Sequence, residues 1–148
     1  MRRLILDTNI YGELVIDKDI EKIRDKIKRA GAIYGVTLIR NELRATPTQI
    51  RLPAQVQIKN LRIALLSLFD EITKSKNLEI NSKINKLSGD YYSVYHTLGG
   101  NKAKKAIEND FSIVACAAFN NLDVVVSEDS KTLLSTHALK AYSIVNNI

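Results

Sequence analysis

Cysteine is nearly absent from this chain: Cys116 stands alone among 148 residues, which excludes an intramolecular disulfide and suits a reducing compartment. Its apolar setting, Phe111-Ser-Ile-Val-Ala-Cys-Ala-Ala-Phe119, predicts a buried, inert thiol. No apolar run approaches the roughly 18 residues that a membrane-crossing helix needs. The opening Met1-Arg2-Arg3 leads into only three apolar residues before Asp7, too few for a secretory leader. A cytoplasmic protein with no membrane segment is therefore expected. No Cys/His cluster with zinc spacing occurs, so His96 and His137 are read as surface or hydrogen-bonded histidines. A Gly-x-Gly-x-x-Gly or phosphate-loop pattern is also missing, which argues against a nucleotide cofactor. No internal repeat, low-complexity tract or interdomain linker breaks the chain, and residues 1–148 read as one domain.

What is present is ordinary globular material: 45% apolar residues and 26% charged. A chain of this length buries roughly 70% of its unfolded surface, enough for a real core. Lys and Arg number 22 against 16 Asp and Glu, a net charge of +6. That excess favours a polyanionic partner, because Lys and Arg release condensed counterions from phosphates, and equally it aids solubility.

Periodicity alternates between strand and helix. Residues 3–6 form a short apolar strand stopped by Asp7-Thr8-Asn9, with a helical pattern over 10–15. Ile20, Ile23 and Ile27 mark one face of a helix over 19–29, which Gly31 is expected to end as a C′ residue. Residues 32–36 read as a second strand. Thr37 is the expected N-cap of a helix carrying Ile39, Glu42 and Leu43, stopped at Thr46-Pro47. A long amphipathic helix is predicted from Pro53 to about Thr73, with Val56, Leu61, Ala64, Leu65 and Leu68 inward. Helices follow over 81–97, 101–108 and 110–119. Residues 122–126 are an unbroken apolar strand, 130–135 a helix and 141–145 a last strand. This order argues for a three-layer α/β/α sandwich around a mainly parallel sheet. The stretch 46–100 carries no evident strand and reads as a helical insertion.

In such folds ligands bind outside the carboxyl ends of the strands. Asp7 follows the first strand, and Ser127-Glu128-Asp129 follows the strand over 122–126. Glu42 lies one or two turns into the helix leaving the second strand, and Asp110 is expected at a helix N-terminus at the same edge. Singly, Asp7 and Asp110 read as helix caps, Glu42 as a solvated helix residue and Asp129 as a turn residue. Together they form one crevice of carboxylates. Crowded carboxylates repel, and a hard cation such as Mg²⁺ or Mn²⁺ relieves that repulsion and activates water toward a phosphodiester.

The segments that carry these acids, Leu4-Ile-Leu-Asp-Thr-Asn-Ile10, Thr37-Leu-Ile-Arg-Asn-Glu-Leu43, Asn109-Asp-Phe-Ser-Ile-Val-Ala115 and Val124-Val-Val-Ser-Glu-Asp129, resemble those of PIN-domain ribonucleases. Order and approximate spacing agree over nearly the whole chain. The resemblance implies a PIN-like sandwich and Mg²⁺- or Mn²⁺-dependent endonucleolytic cleavage of RNA. It implies Asp7, Glu42, Asp110 and Asp129 as catalytic and metal-holding acids, with Asn9 and Ser127 as polar residues bonded to the carboxylates or metal waters. Small proteins of this kind resemble the toxin half of toxin–antitoxin pairs, which implies an antitoxin partner and a homodimer. The long central segment departs from the most compact of them.

Arg40 and Arg44 bracket Glu42 on its helix and are candidates for binding substrate phosphate, with Arg51, Lys59, Arg62, Lys102, Lys104 and Lys105 as further basic residues. Tyr91, Tyr92 and Tyr95 crowd one helix and read chiefly as core, while Tyr11 is a candidate to line the cleft. Two other readings compete. One is a catalytically idle PIN-like module that binds RNA or protein. The other, a receiver-type phosphoacceptor, would want an adjacent acidic pair after the first strand, which Asp7-Thr8 lacks. Metal chemistry alone does not separate RNA from DNA as substrate.

Overall fold

The computed structural model describes residues 1–47 and 58–147. Its elements run β1 (Arg2–Leu6), α1 (Thr8–Ile16), α2 (Ile20–Ala30), β2 (Gly31–Val36), α3 (Thr37–Arg44), α4 (Leu61–Thr73), β3 (Asn77–Leu78), α5 (Ser82–Thr97), α6 (Lys104–Phe119), β4 (Val124–Val126) and α7 (Thr136–Asn146). The strands form one wholly parallel sheet in the order β3-β2-β1-β4. The protein is thus α/β, as the strand–helix alternation predicts. Helices α1, α2 and α4 pack together, as do α5, α6 and α7, with α2 and α4 against β2 and α6 against β4. That grouping is compatible with a three-layer α/β/α arrangement.

Strand order decides where a site can form. The chain leaves β1 for β2 on one side and later returns to β4 on the other, so the order reverses between β1 and β4. A crevice opens at such a switch point, outside the carboxyl ends of the two strands. Leu4, Ile5 and Leu6 pair with Val124, Val125 and Val126, and the Asp7 amide extends the ladder to the Val126 carbonyl at 2.8 Å. Asp7 and Ser127 are thereby set side by side.

The core joins residues from both helix groups. Ile5, Val36, Ile39, Phe69, Ile84, Ile107, Phe111 and Ala138 belong to one buried cluster. Tyr91 and Tyr95 lie within it, their rings edge-on to Phe111, as core packing of the tyrosine-rich helix predicts. Cys116 is buried too, and burial pushes its thiol up to about 11, which keeps it inert. Asn60 and Asn81 cap α4 and α5 by accepting hydrogen bonds from the amides of Ile63 and Ile84.

Several expectations are corrected. Residues 141–145 are not a strand: they belong to α7, whose Ala138, Ala141 and Tyr142 sit at helical spacing and are buried. Residues 130–134 form turns and Ser135 is the cap position of α7, so 130–135 is not a helix. Residues 101–108 and 110–119 are not two helices, since α6 runs unbroken from Lys104 through Asp110. The central stretch does contain a strand, the two-residue β3, too short to show an apolar pattern but paired in parallel with β2. Thr37 is the first residue of α3 rather than its cap, and its hydroxyl donates to Glu79 at 2.8 Å. Gly31 does not end α2 in the left-handed region; it is extended and opens β2, where a Cβ would stand 2.3 Å from the Arg2 carbonyl oxygen.

The long central helix begins at Leu61, and residues 58–60 before it are not helical. Its expected start at Pro53, with Arg51 and Val56, lies outside the described residues. Leu61, Leu65 and Leu68 are buried as expected, while Ala64 is only half-buried. Tyr11 lines no cleft. It is fully buried against Phe69, and its hydroxyl finds no hydrogen-bond partner among the described residues.

Candidate active site

Asp7 stands at the carboxyl end of β1 and is only 5% exposed. It caps α1, as Asp at such a position commonly does: one oxygen accepts from the Thr8 amide at 2.8 Å. The other accepts from the Ser127 hydroxyl at 2.7 Å. The cap and the candidate ligand are therefore the same carboxylate.

Ser127 follows β4 and acts twice, since its oxygen also accepts from the Asp129 amide at 3.0 Å. Asp129 turns its carboxylate back on its own loop, accepting from the amides of Lys131 and Thr132 at 3.0 Å each and from the Thr132 hydroxyl. The turn reading of Asp129 is thus correct. Burial raises its pKa, but the Thr132 hydroxyl, the two amides and the Lys131 charge outweigh that and hold it below the usual carboxylate range. Asn9 ties the same loop to α1 by accepting from the Glu128 amide at 3.5 Å. Asn9 thus positions the loop, and Ser127 binds a candidate ligand directly.

Glu42 projects from α3 and is half-buried. Its oxygens accept from the Thr8 hydroxyl and, at 3.3 Å, from the Asn109 side-chain amide. Burial raises its pKa, and the charge of Asp7 adds to the rise against those two hydrogen bonds. Asp110 lies in the second turn of α6, not at its N-terminus as the sequence suggests. Burial, opposed by a hydrogen bond from Thr132 and joined by the charges of Asp7, Asp129 and Glu42, pushes it up to about 6. Asp110 therefore senses all three other acids, and the four carboxylates share one electrostatic neighbourhood. Beneath them Tyr142 is buried, and its phenol is raised by burial and then by Asp110, with Asp129 and Asp7 contributing.

Three residues of this site escaped the sequence reading: Thr8, Asn109 and Thr132. Each lies within three positions of an acid, the spacing at which short polar side chains bond neighbouring groups. That local signal was legible, but their partners across the fold were not.

The two arginines on α3 separate. Arg40 forms a bidentate ion pair with Asp70 of α4, 3.0 Å at both contacts, so it joins two helices rather than standing free for substrate. Arg44 is exposed at the end of α3. Arg62 donates to the Thr46 carbonyl, while Lys59, Lys102, Lys104 and Lys105 are exposed. His96 and His137 are exposed beside aromatic rings of α5.

The donors fit a hard divalent cation in kind: all are carboxylate oxygens, and no ion pair joins Asp7, Glu42 or Asp110 to a cation among the described residues. They are not assembled into a shell. Among the described residues no group of three or more Asp, Glu, His or Cys side chains stands where it would hold a metal ion. Oxygens of Asp7, Glu42 and Asp129 are turned toward Ser127, Thr8 and Thr132. A groove along β4, lined by Val114, Ala118, Val124 and Val125, contains none of these acids. No helix of the described residues is long and apolar enough to cross a membrane. No protein-family model, curated protein or solved structure matches the chain.

Proposed function

We propose that the chain is a Mg²⁺- or Mn²⁺-dependent endoribonuclease of the PIN-like type. The observation that carries this reading is the convergence of Asp7, Glu42, Asp110 and Asp129 at the switch point of a parallel sheet, where burial and the charges of the other three acids push Asp110 up to about 6. A half-buried carboxyl set among three others, with no ion-pair partner among the described residues, is costly to ionise unless a cation joins it. The resemblance of the four acid-bearing segments to PIN-domain ribonucleases supplies the reaction and the choice of RNA.

Asp7, Glu42, Asp110 and Asp129 would hold the cation. When bound, the cation supplies Lewis acidity, lowering the pKa of water and offsetting charge on the phosphodiester. Ser127 orients Asp7, and Asn109 and Thr8 orient Glu42, through the hydrogen bonds described above. Thr132 fixes Asp129 and tempers Asp110. Arg44, exposed one turn beyond Arg40, would be the arginine of α3 that contacts RNA phosphate. The fuller reading, a toxin that forms a homodimer and is silenced by an antitoxin protein, follows the same resemblance, and its cytoplasmic setting follows the expectation from the lone cysteine.

A second reading has its own support. Because the carboxylates face hydroxyls rather than a common centre, a catalytically idle RNA- or protein-binding module is the alternative. Incubation of the purified protein with single-stranded and structured RNA in Mg²⁺ or Mn²⁺ separates the two. Cleavage that is lost in EDTA and in a folded Asp7→Asn variant supports the nuclease. Equal cleavage by wild type and Asp7→Asn, or activity that survives excess EDTA, overturns it.

A further inference from the structure

Beside the acids, between α3, α5 and α6, lies a groove of about 440 Å³, within the size range of small-ligand sites. We propose that this groove is a nucleobase-binding subsite for the RNA strand; the inference rests on the nuclease reading above. Leu38 and Ile80, both half-buried, supply apolar surface against which a base can lie. The side-chain amides of Asn85 and Asn109 each offer a donor and an acceptor, which is what reading a base edge requires.

The charge of the lining favours a base over a phosphate. Lys104 and Glu108 bring one charge of each sign, so the groove has no net attraction for an anion. The Glu108 carboxylate adds an acceptor for a base amino or imino group. Asn109 also joins the groove to the acid cluster through its hydrogen bond to Glu42 at 3.3 Å. A base seated in the groove therefore has its sugar and phosphate beside the carboxylates.

Gly89 adds to the open space of the groove. It sits in the interior of α5, where glycine weakens a helix, and it lines the groove. A Cβ built on it meets nothing within 4 Å, so no close packing demands glycine there. Its missing side chain leaves the groove open.

The test is amide NMR on the whole chain, titrated with each of the ribonucleoside 5′-monophosphates, with RNA cleavage in Mn²⁺ scored separately. At least one monophosphate is expected to shift the Gly89 and Asn109 amides saturably. Gly89→Leu, which fills the groove, is expected to weaken that binding by about tenfold or more, a loss well above ordinary scatter, while Gly89→Ala retains it. Asn85→Ala alters an exposed side chain and weakens binding even if Gly89→Leu fails to fold. Shifts confined to other surfaces, no binding, or equal affinity in wild type, Gly89→Leu and Asn85→Ala overturns the subsite. Groove binding without cleavage overturns the nuclease alone, and cleavage without groove binding overturns the subsite alone.

Discussion

Ser127 donates its hydroxyl to Asp7 at 2.7 Å across 120 residues of sequence. The bond follows from register: Leu6 pairs with Val126, so the residues after the two strands emerge together. Ser127 also accepts from the Asp129 amide, which makes one hydroxyl the hinge between two acids. Ser127→Ala is expected to keep the fold and to weaken Mn²⁺ binding by roughly 10- to 100-fold, the usual loss when a ligand-orienting partner is removed. Isothermal titration with Mn²⁺ measures it, and unchanged affinity would show that the hydroxyl does not orient Asp7.

Asp110 predicts a pH dependence with a definite sign. Its folded pKa, about 6, lies above the ordinary 3.8, so the folded state binds more protons between those values. Stability then falls as pH rises through that window and levels off above it. Glu42 acts in the same direction. Asp129, held low, acts oppositely: its stabilisation is present above its ordinary value and is lost as pH falls through its folded pKa. After discounting for solvent screening, the Asp110 contribution is on the order of 1 kcal/mol. Metal-free thermal melts from about pH 4.5 to 7 should show a declining midpoint that Asp110→Asn flattens and raises at neutral pH. A wild-type midpoint that climbs over that range would contradict the assignment.

Arg40 and Arg44 should part in mutation. Arg40→Ala breaks a bidentate, partly exposed pair with Asp70 and should cost about 0.5–1 kcal/mol in urea unfolding. Arg44→Ala, at an exposed position, should change stability by less than about 0.5 kcal/mol. For RNA cleavage the order reverses, with KM raised more by Arg44→Ala. A larger KM effect from Arg40→Ala would return Arg40 to the substrate.

Two glycines give opposite expectations. At Gly35 in β2 a Cβ would stand 2.4 Å from Phe69 Cζ and 2.5 Å from Asn77 Oδ1. Gly35→Ala should therefore destabilise by about 1–3 kcal/mol, the range for overpacking. At Gly12 in α1 a Cβ meets nothing within 4 Å, and Gly12→Ala should stabilise by about 0.4–1 kcal/mol. Denaturant unfolding of both variants checks the pair; equal shifts would refute the packing account.

Much of the fold was legible locally, and the misses have local causes. β1 and β2 show as apolar runs with clear stops, and α5 starts within one residue of the helix expected over 81–97. Residues 141–145 misread as a strand because a short apolar run fits either period. Ala138, a full turn earlier, supplies the helical repeat that decides it. β3 has only two residues and exists because β2 offers a free edge for pairing. Asp110 resembled a cap because it follows Asn109 and precedes an apolar run, yet the helix had already begun at Lys104.

The sequence by itself determined the strand–helix alternation, the apolar faces and the positions of Asp7 and Asp129 just beyond two strands, because these depend on neighbouring residues and their periodicity. Tertiary structure alone decided which groups meet. It committed Arg40 to Asp70, buried Tyr11, placed Thr8 and Asn109 on Glu42, and brought Asp110 under the influence of three distant charges. Strand order and register set those meetings, and both arise from long-range pairing that no local pattern specifies.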